Sequence, residues 1–118
     1  MTTLITNLST GKGTWGHVGR LIEDQSFEKI FIITNEYGKE NFNKNDKCEF
    51  ITIDPNKGLK ELRDEIQSSL KNKISDTEVT VNFISGTGKE HMALISALLK
   101  LGMGIRLIAL TKEGIEEI

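Results

Sequence analysis

Strand-like and helix-like segments alternate along the whole of this sequence. Short apolar runs predict strands at 4–8, 29–34, 50–53, 79–84 and 105–110. Apolar residues at helical spacing predict helices at 15–24, 59–70 and 92–101, and a short irregular helix is expected within 35–45. The helix that begins at residue 59 extends at most to residue 74. Because strands separated by helices need long crossovers, we expect a mainly parallel sheet with helices on both faces.

The order of the strands follows from the handedness of such crossovers. Right-handed connections favour the order 3-2-1-4-5 in a sheet of about five strands. We therefore predict an α/β fold, a Rossmann-like three-layer sandwich. The 118 residues are enough for one domain that spans 1–118. The tail, residues 111–118, is expected to form a short helix or to lie outside the ordered chain.

Composition restricts the classes of partner. With 15 Lys and Arg against 17 Asp and Glu, the net charge is −2, and the charges are interspersed. No broad basic surface is therefore expected, so direct binding to duplex DNA is not predicted, and any nucleotide ligand should be small and locally held.

Cysteine content and the N-terminus indicate the compartment. Cys48 is the only cysteine, which excludes an intrachain disulfide and a cysteine-based metal cluster. No apolar run reaches membrane-spanning length, and the first residues lack the pattern of a signal peptide. We expect a cytoplasmic protein with no membrane contact.

Two loops that contain glycines and a lysine follow the first and fourth strands. The first loop consists of Ser9, Thr10, Gly11, Lys12, Gly13 and Thr14, and the second of Ser85, Gly86, Thr87, Gly88, Lys89, Glu90 and His91. Strands one and four are neighbours in the predicted order, so these loops should meet at the switch point where open α/β sheets bind ligands. Glycines allow a close turn, helix N-termini attract anions, and a lysine adds positive charge. We predict a phosphate or nucleotide site, with Lys12 and Lys89 converging on it. The alternative is a simple strand-to-helix turn with solvated lysines.

Two nucleotide-binding motifs are partly matched. Residues 11–16 fit G-x-G-x-x-G, but the bulky Trp15 lies inside the motif and the acidic residue would have to be Glu36. A glycine-rich anion loop is therefore favoured, and a dinucleotide module stays an alternative. Residues 86–89 do not complete a Walker A motif, because Phe83 and Glu90 occupy the positions that need Gly and Ser or Thr. This excludes an ATPase of that class.

Histidines and aromatic residues near the loops allow two interpretations each. His17 and His91 lack the partner residues and the spacing of metal ligands, so we predict no metal site. Each histidine could contact a ligand, but a structural role is favoured. Trp15 belongs to the core or walls a base pocket, and Tyr37 stacks on a base or anchors a loop.

The fourth predicted helix is apolar around most of its circumference. Its apolar residues are Met92, Ala93, Leu94, Ile95, Ala97, Leu98, Leu99 and Leu101. A helix on the outside of a small sheet needs only one apolar face. A second copy of the chain would cover the remainder, so we predict a two-fold homodimer through this helix. The alternative is a fully central helix.

The segment from Asn82 to Met92 resembles a motif of the CARF (CRISPR-associated Rossmann fold) domains, N-x-T-G-G-T-K-x-M at the end of the fourth strand. The apolar helix, glycine turn and strand that follow also agree, and so does the hydroxyl-bearing loop after the first strand. The sequence departs from the motif in the order of Thr87 and Gly88 and in the spacing from Lys89 to Met92, and no effector domain follows.

The resemblance implies a homodimer that binds a cyclic oligoadenylate, with cyclic tetra-adenylate as the expected ring, in the antiviral signalling of type III CRISPR systems. It implies that Lys89 contacts phosphate, that Ser85, Gly86 and Thr87 line the turn, and that Ser9 or Thr10 faces the ligand. The predicted ligand-binding residues are Ser9, Thr10, Gly11, Lys12, Gly13, Thr14, Asn35, Ser85, Gly86, Thr87, Gly88, Lys89 and His91.

Some family members cleave their ring without a metal, by attack of a ribose 2′-hydroxyl on the adjacent phosphate. Lys89, Ser9 and Thr10 are the candidate catalytic residues for that step, in which Lys12 could also stabilise charge, with no cofactor. A protein that only binds the ring would sequester it or act with a separate effector. The alternatives are a sensor subunit of a transcription regulator, a module that binds NAD or FAD, and a dimeric scaffold without a small ligand.

Overall fold

The computed structural model describes residues 2–118 and shows one sheet flanked by helices. The strands are β1 (Thr2–Leu8), β2 (Phe27–Thr34), β3 (Cys48–Thr52), β4 (Glu78–Asn82), β5 (Gly104–Thr111) and β6 (Gly114–Glu117). The helices are α1 (Trp15–Ile22), α2 (Glu36–Asn41), α3 (Leu59–Leu70) and α4 (Gly88–Lys100), and a 3₁₀ turn at Lys12–Thr14 precedes α1. None of these helices is long and apolar enough to cross a membrane.

The strands lie in the order β3-β2-β1-β4-β5-β6. All pairings among the first five are parallel, with Leu4 of β1 opposite Ile30 of β2 and Thr80 of β4. The predicted α/β class, the parallel sheet and the order 3-2-1-4-5 are therefore confirmed. β1 and β4 are neighbours at the centre, which is the arrangement that creates a switch point.

The C-terminal tail differs from the prediction. It forms neither a helix nor an end to the ordered chain, because β6 pairs antiparallel with β5 and adds a sixth strand. The turn between them closes at Gly114, whose φ of +111° favours glycine. In this turn Thr111 Oγ1 accepts a hydrogen bond from Glu113 N at 3.1 Å. Ile115 packs on the apolar cluster beneath α1, which explains why this short segment pairs with the sheet.

α4 begins four residues earlier than the apolar pattern predicts. Its N-cap is Thr87, whose hydroxyl accepts a hydrogen bond from Glu90 N at 3.2 Å. The Glu90 carboxylate in return accepts one from Thr87 N at 2.7 Å. This capping box satisfies two backbone donors at once and fixes the helix start. As a result Gly88 and Lys89 belong to the first turn of α4 and not to the preceding loop.

The two faces of the sheet bury separate apolar clusters. One includes Ile5 of β1 and packs under α3 and α4, and the other includes Leu4 and Leu8 and packs under α1. Because side chains alternate along a strand, Asn7 shares the face of Ile5, and Thr6 shares the face of Leu4 and Leu8. Both polar residues are buried.

α4 carries more apolar surface than one protomer covers, as the sequence predicted. Met92 is 58% exposed, Ile95 37% and Leu99 64%. Their spacing places them on one side of the helix, because residues three and four apart are neighbours on a helix surface. The opposite side, with Leu94 and Leu98, is fully buried against the sheet and α3.

Candidate functional site

Two serines join the loops that follow β1 and β4. The buried Ser85 accepts a hydrogen bond from Ser9 N at 2.9 Å through its hydroxyl oxygen. Its own hydroxyl donates to Ser9 Oγ at 3.2 Å. Residues 76 positions apart in the chain are thereby held together at the centre of the sheet. The predicted meeting of the two loops is what the structure shows.

The Ser9 hydroxyl is the polar group of this pair that remains available. Ser9 is half-buried, and its oxygen already accepts a hydrogen bond from Ser85. A serine hydroxyl has one hydrogen and two lone pairs, so Ser9 keeps its own hydrogen to donate elsewhere. Thr10 and Gly11 follow in exposed positions. Ser9 and Thr10 thus line the open edge of the first loop.

Aromatic side chains support the rest of the first loop. Trp15 Nε1 donates to the Ser9 carbonyl oxygen at 2.8 Å, and the ring of Trp15 packs against Phe42 at 5.6 Å between centroids. Lys12 Nζ lies 5.6 Å from the ring centroids of both Trp15 and Tyr37. Trp15 is therefore an anchor that is half-buried, and Lys12 is attracted to the faces of two aromatic rings. The exposed Tyr37 leaves part of its ring accessible.

Two more predicted residues of the first loop have distinct environments. Gly13 is exposed at the 3₁₀ turn. Thr14 has a buried hydroxyl without a hydrogen-bond partner within residues 2–118. Neither makes a contact that defines the site.

Gly86 allows the second loop to turn tightly. Its φ is +102°, a conformation that side chains with a Cβ rarely adopt. A Cβ at this position would lie 3.0 Å from a Glu90 carboxylate oxygen, 3.1 Å from His91 Nε2 and 3.3 Å from Asn7 Cβ. Only glycine fits this turn without displacing its neighbours.

The N-terminus of α4 provides donors and also a competing anion. The N–H groups of Gly88 and Lys89 lie in the first turn, where a helix offers them no backbone acceptor. The Glu90 carboxylate, however, already binds Thr87 N within the capping box. An anionic ligand at this end of α4 would meet the negative charge of Glu90. The partial positive charge at the N-terminus of α4 is thus partly neutralised by the Glu90 carboxylate.

The two lysines contact different partners. Lys89 Nζ donates to the carbonyl oxygen of Pro55, in the loop after β3, at 3.1 Å. Lys12 Nζ lies over Trp15 and Tyr37. The loops therefore converge through the serines, and each of the two ammonium groups contacts a partner of its own; the convergence of Lys12 and Lys89 on one ligand stays a prediction. Lys89 is exposed and makes one hydrogen bond to a neutral acceptor, which a phosphate could replace.

His91 holds the second loop in shape. Its Nε2 lies 2.7 Å from the Ser85 carbonyl oxygen, and its ring stacks on Phe83 at 4.8 Å between centroids. Since a carbonyl oxygen only accepts, Nε2 carries the proton and donates it. The predicted ligand-binding residue His91 thus supports the turn around Ser85.

His17 lies outside the site and links α1 to β5. Its Nε2 accepts a hydrogen bond from Leu110 N at 3.1 Å and lies 3.3 Å from Asn82 Nδ2. Burial lowers the pKa of His17 below its ordinary value. Because its Nε2 faces two donors, the geometry also requires the neutral ring. His17 is a structural residue.

Asn35 caps α2. Its Oδ1 accepts a hydrogen bond from Gly38 N at 2.9 Å, so the oxygen is already bound. Nearby, the Thr34 hydroxyl donates to the Leu8 carbonyl oxygen at 2.9 Å. The predicted ligand-binding residue Asn35 therefore fixes the start of α2, and the hydrogen bond of its side chain within residues 2–118 is with Gly38 and not with Ser9 or Ser85.

The sequence-based reasoning missed Asn7. Its side chain is 2% exposed and lies beside Gly86, and neither Nδ2 nor Oδ1 has a hydrogen-bond partner within residues 2–118. An amide side chain in a strand predicted to lie at the centre of the sheet was a signal that could have identified it.

Residues 2–118 contain no group of three or more His, Cys, Asp or Glu that could hold a metal ion. Cys48 is buried, and burial raises the pKa of its thiol. No family model matches the sequence, and no curated protein matches it. The site described by these contacts is a junction of two glycine-containing loops with hydroxyl, N–H and ammonium donors.

Proposed function

We propose that this chain forms a two-fold homodimer that binds a cyclic oligoadenylate, cyclic tetra-adenylate in particular, in type III CRISPR antiviral signalling. The observation that carries the proposal is the pair of hydrogen bonds between Ser9 and Ser85. They bring both glycine-containing loops to the switch point, beside the start of α4 and Lys89. The resemblance of residues 82–92 to the CARF motif supplies the ligand class.

The groups available at the junction suit phosphates. Ser9 offers a hydroxyl hydrogen, and the first turn of α4 offers N–H groups and the exposed ammonium group of Lys89. All three are donors or cations, which bind the acceptor-only oxygens of a phosphodiester. The exposed ring of Tyr37 offers a surface on which a base could stack.

The exposed apolar residues support the dimer. Ile84 directly precedes Ser85, and Met92 directly follows His91, so the exposed apolar surface borders the second loop on both sides. A groove of about 260 Å³, lined by Ile84, Leu107 and Ile118 among others, continues this surface. A two-fold axis through such a surface would place two copies of the site side by side, and a cyclic ligand with the same symmetry would bind both.

Ring cleavage is the second candidate function, and the free hydroxyl hydrogen of Ser9 favours it. In this reaction a ribose 2′-oxygen bonds to the adjacent phosphorus, its proton passes to solvent, and the bond to the 5′-oxygen breaks as that oxygen gains a proton. The products are a 2′,3′-cyclic phosphate and a 5′-hydroxyl. Ser9 or Thr10 would align the phosphate, and Lys89 would stabilise the charge on its oxygens.

Calorimetric titration with cyclic tri-, tetra- and hexa-adenylate tests the proposal. We expect cyclic tetra-adenylate to bind, and Lys89→Ala to weaken binding by about tenfold or more, because a charge-assisted hydrogen bond is lost. Lys60→Ala, which removes an exposed lysine from α3, is the matched control and should bind as the wild type does. Binding of NAD or FAD with no binding of any ring would instead support a dinucleotide module.

The same mixtures, resolved by chromatography in the presence of a chelator, distinguish binding from cleavage. Appearance of the linear product with wild type, and its loss with Lys89→Ala at saturating ligand, would establish a ring nuclease. An intact ring in a tight complex would establish a protein that binds or sequesters the messenger.

A further inference from the structure

Asn7 has an unusual environment for a polar side chain. It is the penultimate residue of β1, and only 2% of its surface is exposed. Both ends of its carboxamide, Nδ2 and Oδ1, lack a hydrogen-bond partner within residues 2–118. Buried polar groups are nearly always paired, so one without a partner among the protein groups calls for an explanation.

The position of Asn7 connects it to the site. It lies on the face of β1 that is covered by α3 and α4, in register with Ile33 of β2. Its Cβ would be 3.3 Å from a Cβ on Gly86, so the second loop covers it directly. The Asn7 side chain is therefore next to the turn that joins Ser85 to the start of α4.

The chemistry of a carboxamide indicates which part of a ligand it would bind. Asn presents a donor and an acceptor side by side. A phosphate oxygen only accepts, so a phosphate would leave Oδ1 unpaired. An adenine edge presents an amino donor next to a ring-nitrogen acceptor, and asparagine pairs with both at once. A base edge, and not a phosphate, is the complement of this side chain.

We propose that Asn7 is a specificity-determining residue whose carboxamide pairs with an adenine edge of the ligand. This inference rests on the proposed binding of a cyclic oligoadenylate and assigns to Asn7 the recognition of its base. The donor and the acceptor of Asn7 that lack a partner within residues 2–118 are then the groups that pair with the base.

Access to Asn7 requires the turn at Gly86 to shift, while the capping box and the bond from His91 to the Ser85 carbonyl oxygen keep the two ends of the loop in place. Gly86 has no side chain, and the loop is held from outside by Lys89 bonded to the Pro55 carbonyl oxygen. A ligand phosphate that draws Lys89 away from Pro55 would remove this contact. The turn at Gly86 could then shift and expose the carboxamide, so phosphate binding and base recognition would be coupled.

Thr6 provides a matched comparison. It adjoins Asn7, is fully buried, and its hydroxyl also lacks a partner within residues 2–118. It lies on the opposite face, however, in register with Asn82 and beneath α1. Thr6 shares the burial and the missing partner with Asn7 but has no route to the second loop.

The test uses two near-isosteric substitutions, Asn7→Leu and Thr6→Val, with cyclic tetra-adenylate and cyclic tetra-inosinate as probes. At the N6/N7 edge of adenine, which asparagine pairs with, inosine presents two acceptors, so Asn7 Oδ1 would be left without a donor. Wild type should prefer the adenylate ring by about tenfold or more, because a bidentate contact discriminates between bases. Asn7→Leu should abolish this preference, and Thr6→Val should retain it.

Thermal unfolding gives an independent measure. Both substitutions should raise Tm, because each replaces an unpaired buried polar group by an apolar one.

Failure of the wild type to bind either ring would overturn both the proposed function and this inference. If wild type binds and prefers the adenylate ring, but Asn7→Leu keeps that preference, only the role of Asn7 is refuted. A lower Tm for Asn7→Leu, with equal loss of both ligands, would show a structural role and would also refute it.

Discussion

The two loops that meet at the switch point are stabilised in different ways. The second loop is fixed by local bonds: the capping box of Thr87 and Glu90, the bond from His91 to the Ser85 carbonyl oxygen, and the turn at Gly86. In the first loop the caps of the 3₁₀ turn and of α1 make no side-chain hydrogen bond. Its support comes from the indole of Trp15 and from Ser85.

This difference suggests a division of roles. A loop fixed by its own hydrogen bonds is preorganised, which reduces the loss of entropy on binding. A loop held mainly by one anchor can adapt its backbone to the ligand. We therefore expect the second loop to determine where the phosphates bind and the first loop to adjust around them.

The largest expected effect comes from a pair of glycine substitutions. Gly86→Ala forces a Cβ into a φ of +102° and against Asn7 and His91, so the free energy of unfolding should fall by about 1–3 kcal/mol. Gly11→Ala, at a φ of −74° with its nearest contact 3.7 Å away, should change it by less than about 0.5 kcal/mol. Urea unfolding monitored by Trp15 fluorescence measures both. Equal losses would contradict the contrast between a fixed and an adaptable loop.

A smaller effect should follow from Glu90→Gln. Glutamine retains the capping box, so Tm should change little, while the negative charge next to the ligand is removed. The affinity for cyclic tetra-adenylate should increase by about fivefold, equivalent to roughly 1 kcal/mol for two unit charges 4 Å apart in water. Glu116→Gln on β6 is the charge-matched control and should leave affinity unchanged. Unchanged affinity for Glu90→Gln would place the ligand away from the start of α4.

The smallest effect is a dependence of stability on pH that comes from His17. Burial lowers the pKa of His17 in the folded chain, whereas an unfolded histidine titrates near about pH 6.5. The unfolded state therefore gains a proton first, and stability that is complete above about pH 6.5 is lost as pH falls through the lower pKa of the folded state.

A comparison of the wild type with a variant of His17 would show whether this histidine causes the loss of stability at low pH. His17→Gln, whose side-chain oxygen can accept from Leu110 N, should reduce the decline of Tm between about pH 6.5 and 5. The pKa values of Asp24 and Glu49 are lowered, by the Ser26 hydroxyl and by Lys73 respectively, so these carboxylates lose their contribution only at more acidic pH. An unaltered pH profile in His17→Gln would show that another group causes the decline.

The sequence was sufficient for most of the fold because hydrophobic periodicity and the handedness of crossovers determine it. The meeting of the two loops followed from strand order alone. β6 was missed because four residues at an edge, after a turn that depends on the positive φ of Gly114, carry almost no periodic signal. The early start of α4 could have been predicted, since Thr87 and Glu90 have the spacing of a capping box.

The contacts of the site's side chains could not be predicted from hydrophobic periodicity or from the handedness of crossovers. Lys89 contacts a carbonyl oxygen 34 residues away, and Lys12 lies over an aromatic ring on a different helix. Such contacts depend on how loops of different strands approach one another. The environment of Asn7 was likewise only partly predictable. Its burial was implied by its position in a strand, but its lack of a hydrogen-bond partner depends on three-dimensional packing.

The stoichiometry of the complex with cyclic tetra-adenylate tests the central claim most directly. Native mass spectrometry measures this stoichiometry for the wild type and for Leu99→Glu. The substitution places a charge on the exposed face of α4. The account predicts one ring per two chains for the wild type, and for Leu99→Glu a monomer that binds the ring much more weakly. One ring per chain, or a Leu99→Glu monomer with wild-type affinity, would contradict it.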